Sequence, residues 1–133
     1  MAKKQIYIFD LDWTLCELWE SINPYNHDWE EVTIPWMSVI YESLEEHRHW
    51  IILTWRKRKE YWEITEKWLE YNEIQYLDLI MQEWNTAKPN HIFKREKLIE
   101  LKEKYDIIAM FDDNPDLIPV CKELWILLLQ VHR

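Results

Sequence analysis

The sequence contains no glycine, where the usual share of about 7% would give roughly nine. Any left-handed backbone position must then be filled by a residue with a side chain, at a steric cost of roughly 1–2 kcal/mol. Cysteine is scarce. Cys16 and Cys121 stand far apart without metal-ligand spacing, which favours two free thiols over a disulfide. No apolar run approaches the ~18–20 residues needed to cross a bilayer. The opening Met1-Ala2-Lys3-Lys4-Gln5 leads into a strand-like stretch rather than the apolar region of a signal peptide. These absences point to an intracellular, cytoplasmic protein with no membrane partner and no evident obligate protein partner. Positive charge is short as well: 16 Lys and Arg face 25 Asp and Glu, a net charge of −9. That balance argues against strong general affinity for nucleic acid and leaves room for a local basic site. Repeats, low-complexity tracts and linkers are missing, so 1–133 is expected to be a single domain.

Tryptophan occupies the places glycine has left, with ten residues in the chain. Trp50 and Trp125 each fall between a helical pattern and an apolar strand, where a left-handed residue usually ends the helix. Trp13 and Trp55 fall in turns beside candidate site residues. The pattern implies a glycine-free, engineered sequence in which tryptophan has replaced the glycines of a parent. Trp68, inside a helical pattern, is read as original.

Strands and helices alternate along the chain. Ile6-Tyr7-Ile8-Phe9 reads as a buried strand ending in Asp10-Leu11-Asp12. Residues 13–35 are irregular, with a turn at Asn23-Pro24, and form a small cap or flap. Pro35 opens a helical pattern carrying Met37, Ile40, Tyr41 and Leu44. Ile51–Leu53 is a second strand, followed by a helix from about Lys59 to Tyr71 carrying Tyr61, Ile64, Trp68 and Leu69. Leu77–Met81 is a third strand and 84–90 a loop. Lys88-Pro89 opens a helix to about Lys104 with Ile92, Phe93, Leu98 and Leu101 inward. Ile107–Phe111 is a fourth strand ending in Asp112-Asp113. Asn114 then fits an N-cap with Pro115 in the first turn, and the helix to Leu124 precedes a fifth strand, Ile126–Val131. This order predicts an α/β Rossmann-like three-layer α/β/α sandwich with a five-stranded, mainly parallel sheet. Sites in such sheets gather at the C-terminal ends of the strands.

Several polar residues converge on that edge. Asp10 and Asp12 follow the first strand, Thr54 ends the second, Asp112 and Asp113 end the fourth, and Lys88 enters a helix. Four carboxylates and one lysine would repel without a cation, and a hard divalent ion with oxygen ligands, Mg²⁺, suits them. The histidines at 27, 47, 49, 91 and 132 show no metal spacing.

Asp10-Leu11-Asp12-Trp13-Thr14-Leu15 resembles the first motif of the haloacid-dehalogenase (HAD) superfamily, written DxDGT. Leu53-Thr54-Trp55-Arg56 resembles its second motif, Lys88-Pro89 its third, and Phe111-Asp112-Asp113 with Asp116 its fourth. Thr54-Trp55-Arg56, Thr65-Glu66-Lys67-Trp68, Met81-Gln82, Asn85-Thr86-Ala87-Lys88, Glu123-Leu124-Trp125-Ile126 and Gln130-Val131 are most similar to the 3′-phosphatase domain of phage polynucleotide kinases. The resemblance implies a Mg²⁺-dependent phosphomonoester hydrolase acting through an aspartyl-phosphate. Asp10 would be the nucleophile and Asp12 the general acid and base. Mg²⁺ would be held by Asp10, Asp112 and the backbone carbonyl of Asp12, with Asp113 helping. Thr54 would bind phosphoryl oxygens, Thr14 and Arg56 the substrate, and Lys88 would offset charge. A minimal cap favours a large substrate, such as a polynucleotide 3′-phosphate end.

Other readings stand beside these. Thr54 is also a fit for a strand-capping hydroxyl. Lys94, further along the helix, is the alternative to Lys88. Asp116 suits a first-turn helix carboxylate as well as a site. Arg56-Lys57-Arg58-Lys59 is either a solvated helix start or a contact for further substrate phosphates. Indoles at 13 and 55 would either close the pocket or stack on a nucleobase. The alternative functions are a folded scaffold with impaired catalysis and a phosphatase for small molecules or nucleotides.

Overall fold

A computed structural model of the chain describes residues 2–12, 14–15, 49–83 and 88–131. All of the expected cap except residues 14 and 15 lies outside these residues, as do the helix opening at Pro35, Trp13 and Cys16. Five strands, β1 (Lys4–Phe9), β2 (Trp50–Lys57), β3 (Asp78–Gln82), β4 (Tyr105–Asp112) and β5 (Leu128–Gln130), form one sheet in the order β3-β2-β1-β4-β5. Every pairing is parallel. Three helices, α1 (Arg58–Tyr71), α2 (Asn90–Lys104) and α3 (Leu117–Leu124), make the crossovers among the described residues. The α/β sandwich expected from the sequence is the fold observed.

Alternation along each strand divides the core into two layers. Ile6, Ile8, Ile51, Leu53 and Met110 pack on one face with Phe93, Leu98 and Leu101 of α2 and Leu117, Val120 and Cys121 of α3. Phe9, Trp50, Ile52 and Phe111 pack on the other with Ile64, Trp68 and Leu69 of α1. Three rings run across three adjacent strands in this second layer. Phe9 stacks on Trp50 with centroids 3.5 Å apart and on Phe111 at 4.4 Å. Cys121 is a buried free thiol, as expected.

Two helices end in the same hydrogen-bond pattern. After α1, Ile74 N–H donates to Leu69 O at 2.9 Å and Glu73 N–H to Glu70 O at 3.0 Å, while Glu73 takes φ 56°. After α3, Ile126 N–H donates to Cys121 O at 2.9 Å and Trp125 N–H to Lys122 O at 3.3 Å, while Trp125 takes φ 58°. Both are Schellman ends, whose left-handed residue is usually glycine. Trp125 thus fills the position expected of it, with its side chain almost wholly in solvent at 91% exposure. Trp50 does not. It is the first residue of β2, fully buried, because its indole completes the ring stack against Phe9. Trp55 also has no positive φ; it lies within β2 as extended chain.

Two further expectations are corrected. The helix after β4 begins at Leu117, and Asn114-Pro115 forms a preceding turn. Its bonds are Leu117 N–H to Asn114 O and Ile118 N–H to Pro115 O, with the Asn114 side chain accepting from Asp116 N–H at 3.0 Å. Ile92 is exposed rather than inward, because α2 turns Phe93 and Lys94 toward the sheet.

Trp125→Gly should stabilise the protein. Relief of roughly 1–2 kcal/mol of left-handed strain outweighs the ~0.4–1 kcal/mol gained by the unfolded chain from a glycine. Trp125→Ala, which keeps the strain, should give no gain. Urea denaturation of the three proteins measures this, and equal midpoints for the glycine and alanine variants would refute the strain.

Candidate active site

β1 and β4 are neighbours, yet the chain visits β2 and β3 between them, so the direction of winding reverses at their junction. Crevices open at the C-terminal ends of strands at such a point. Asp10 directly follows β1, and its backbone N–H donates to Phe111 O at 2.9 Å, which fixes it beside the end of β4. Asp112 ends β4 and is fully buried. Its Oδ1 accepts from Asn114 N–H at 3.0 Å.

Lys94 of α2 joins the two. Its ammonium donates to Asp10 Oδ1 at 2.9 Å and Asp112 Oδ2 at 2.7 Å, and its side chain is 0% exposed. Burial works against this charge, but Asp10 and Asp112 outweigh it and raise the pKa of Lys94, so the cation persists. Burial and then the charge of Asp112 push Asp10 well above the usual carboxylate range; Lys94 opposes the shift and Asp12 adds to it. Asp113 is raised too, first by burial; its hydrogen bond with Asp10 pulls the other way, and the charge of Asp112 adds to the rise. Thr14, wholly buried, donates its hydroxyl to Asp10 Oδ2 at 3.4 Å.

Asp10, Asp112 and Asp113 offer carboxylate oxygens within 4.8 Å of one another. One lysine cannot neutralise three carboxylates, and burial together with the charge of Asp112 holds Asp10 and Asp113 above the usual carboxylate range. A donor set of close carboxylate oxygens fits a hard divalent cation such as Mg²⁺, which would relieve the imbalance.

Asp12 is held from another direction. The Arg56 guanidinium donates through Nε to Asp12 Oδ2 at 2.9 Å and Oδ1 at 3.1 Å, and through Nη2 to Oδ1. Its Nη1 donates to Thr65 Oγ1 of α1 at 3.0 Å. Arg56 is buried, so this two-pronged pair fixes the Asp12 carboxyl group more firmly than a surface ion pair could. Thr54 is wholly buried, and its hydroxyl accepts from Arg56 N–H at 3.3 Å.

A cavity of about 580 Å³ opens over these groups, lined by Asp10, Asp12, Arg56 and Asp113. Trp55, Lys57, Tyr61 and Gln82 also line it. The sequence-derived site residues are therefore largely assembled in one place. Lys88 is the exception. Its ammonium bonds Glu96 at 2.6 Å on the exposed side of α2, while Lys94 meets the carboxylates. The reason is helical phase: Lys94, Leu98 and Leu101 stand at i, i+4 and i+7 on the buried stripe. A lysine interrupting an apolar stripe was the sequence signal for it. Asp116 stands exposed at the start of α3, away from the cavity lining.

No helix among the described residues is long and apolar enough to cross a membrane. No curated protein sequence matches the chain. A solved structure described as the Pnkp1/Rnl/Hen1 complex matches with a TM-score of 0.82 and 26% identity, covering 98% of this chain and 47% of that one. A second, described as the Pnkp1/Rnl/Hen1 RNA repair complex, matches with a TM-score of 0.81 and 26% identity, covering 97% and 42%. The chain thus spans less than half the length of these relatives. The family model of the polynucleotide kinase PNKP phosphatase domain matches residues 4–133. On that match and the shared fold, the chain belongs to the PNKP phosphatase domain family of the HAD superfamily.

Proposed function

We propose that the protein is a Mg²⁺-dependent phosphomonoester hydrolase that acts on polynucleotide 3′-phosphate ends through an aspartyl-phosphate. The observation that carries this reading is the buried Lys94 that bridges Asp10, which lines an open cavity, to Asp112 behind it. The substrate class rests on the family, on the RNA repair complex among its structural relatives, and on Lys57 beside the cavity.

Asp10 attacks phosphorus through a carboxylate oxygen. The new Asp10–phosphorus bond forms as the bond to the leaving sugar oxygen breaks, and Asp12 in its acid form gives that oxygen a proton. Asp12 then takes a proton from water, whose oxygen displaces Asp10 from phosphorus and releases inorganic phosphate. Arg56 keeps the Asp12 carboxyl group directed at the cavity through both steps. Thr14 and Lys94 orient Asp10, and Lys94 also offsets charge around it. Thr54, inside β2 and wholly buried, accepts from the Arg56 N–H and so steadies the segment that carries Arg56 beside the phosphoryl site. Asp10, Asp112 and Asp113, with the backbone carbonyl of Asp12, would hold Mg²⁺, which supplies charge stabilisation for the transferring phosphoryl group when bound.

A second reading, a glycine-free scaffold of impaired activity, is favoured by the left-handed Trp125, the kind of backbone a replaced glycine leaves behind. Trp55 also stands on the cavity wall. Turnover decides between the two.

Hydrolysis of a 3′-phosphorylated oligonucleotide and a small aryl phosphate should require Mg²⁺, stop with EDTA, and fall at least about 10³-fold in Asp10→Asn. Preference for the aryl phosphate would redirect the reading to small molecules; a folded protein without turnover would favour the scaffold. Lys94→Met should remove most activity and destabilise the fold by about 3–5 kcal/mol, since it strands two buried carboxylates. Lys88→Met should keep most of both, and equal losses in the two variants would overturn the assignment of Lys94. Because Asp10 and Asp113 are raised, protons compete with the cation as pH falls toward their elevated range. Calorimetry should therefore find Mg²⁺ affinity weaker at pH 5 than at pH 7, with protons released on binding.

A further inference from the structure

Trp55 is half exposed on the cavity wall, yet three hydrogen bonds close a ring around its position. Its Nε1–H donates to Lys88 O at 2.9 Å. The Lys88 N–H donates to Gln82 Oε1 at 3.3 Å, and the Gln82 Nε2–H donates to Trp55 O at 3.3 Å. Gln82, at 2% exposure, is the buried clasp of the circuit, tying β2 and β3 to the entry of α2. The indole is thereby fixed with its one donor already used. What it presents to the cavity is a rigid aromatic surface with no hydrogen bond to offer. Such a surface recognises another flat ring by stacking, tolerant of which base it meets, and loses little freedom on binding.

We infer that Trp55 is a stacking plate for the nucleobase of the nucleotide that carries the scissile 3′-phosphate; this rests on the polynucleotide reading of the same site. Asp10 and Trp55 line one cavity, so a phosphate on Asp10 leaves its own nucleoside facing the indole wall. Lys57, the second residue after Trp55 and also in the lining, suits the preceding phosphodiester. Tyr61, half-buried one helical turn into α1, borders the same space. The plate therefore reads the presence of a base and not its identity, which suits an enzyme that meets strand ends of any sequence.

The test is calorimetric binding by the Asp10→Asn protein, with Mg²⁺, of a 3′-phosphorylated dinucleotide and of the same ligand with an abasic terminal sugar. The base-bearing ligand should bind about tenfold or more tightly, with a purine above a pyrimidine. Adding Trp55→Leu should erase the ratio, Trp55→Phe should keep part of it, and Gln82→Leu, which leaves the ring but opens the clasp, should shrink it. A purely structural role for Trp55 would weaken both ligands equally and leave the ratio intact, which would overturn the inference. Equal affinities in the Asp10→Asn protein would overturn it while sparing the polynucleotide reading, because both ligands still bind. Should 3′-phosphorylated ligands bind no better than their 3′-hydroxyl forms, the polynucleotide reading fails and the inference goes with it.

Discussion

A single ammonium group, that of Lys94, holds the functional end of this protein together. It lies out of reach of water between two carboxylates that end adjacent strands. An ion of this kind is costly to bury, and a whole buried ion cluster can often be exchanged for hydrophobic residues of similar volume without loss of stability. Its presence inside a well-packed layer, one turn from Leu98, points to chemistry rather than to stability. The same cation lets Asp10 and Asp112 approach each other, and their approach creates the donor set for a divalent metal.

Around that ion the site is built in two halves. Asp10, which lines the cavity, stands on a buried base of Thr14, Asp112 and Lys94, and together they form the floor half. Asp12, Arg56 and Thr65 form a wall that joins the strand ends to α1. Each half is anchored to a different core layer, the floor through α2 and the wall through α1. Both halves hang on β1, β2 and β4, whose rings Phe9, Trp50 and Phe111 stack together on the α1 face of the sheet and fix the three strands against one another.

Most of the sheet was legible in the sequence because its strands are short apolar runs punctuated by Asp, Thr and Asn. The carboxylates of the site were legible for the same reason, since each stands where such a run stops. Lys88 was misleading because its neighbour Pro89 marks a helix start, while the direction of a lysine four residues inside that helix depends on rotation about its axis. The left-handed Trp125 could be read from the break between helix and strand. Glu73 could not, because a polar residue after a helix carries no composition signal. Trp50 deceived for a related reason: it too follows a break, but its ring is large enough to join the core. The partners of Arg56 were hidden as well, because nothing in a basic run shows which of its members turns inward.

The separation along the chain of the groups that meet at Lys94 has a kinetic consequence. Lys94 and Asp10 are 84 residues apart, and β1 sits between β2 and β4 in the sheet. The cluster cannot assemble until the first strand has been inserted into the centre of a sheet whose other members arrive later in the chain. Contacts of such long range close slowly, because loop entropy is spent before they form. In any partly ordered chain the carboxylates are scattered, weak ligands. Formation of the Lys94 cluster therefore reports that the N-terminal strand has taken its place between its two neighbours.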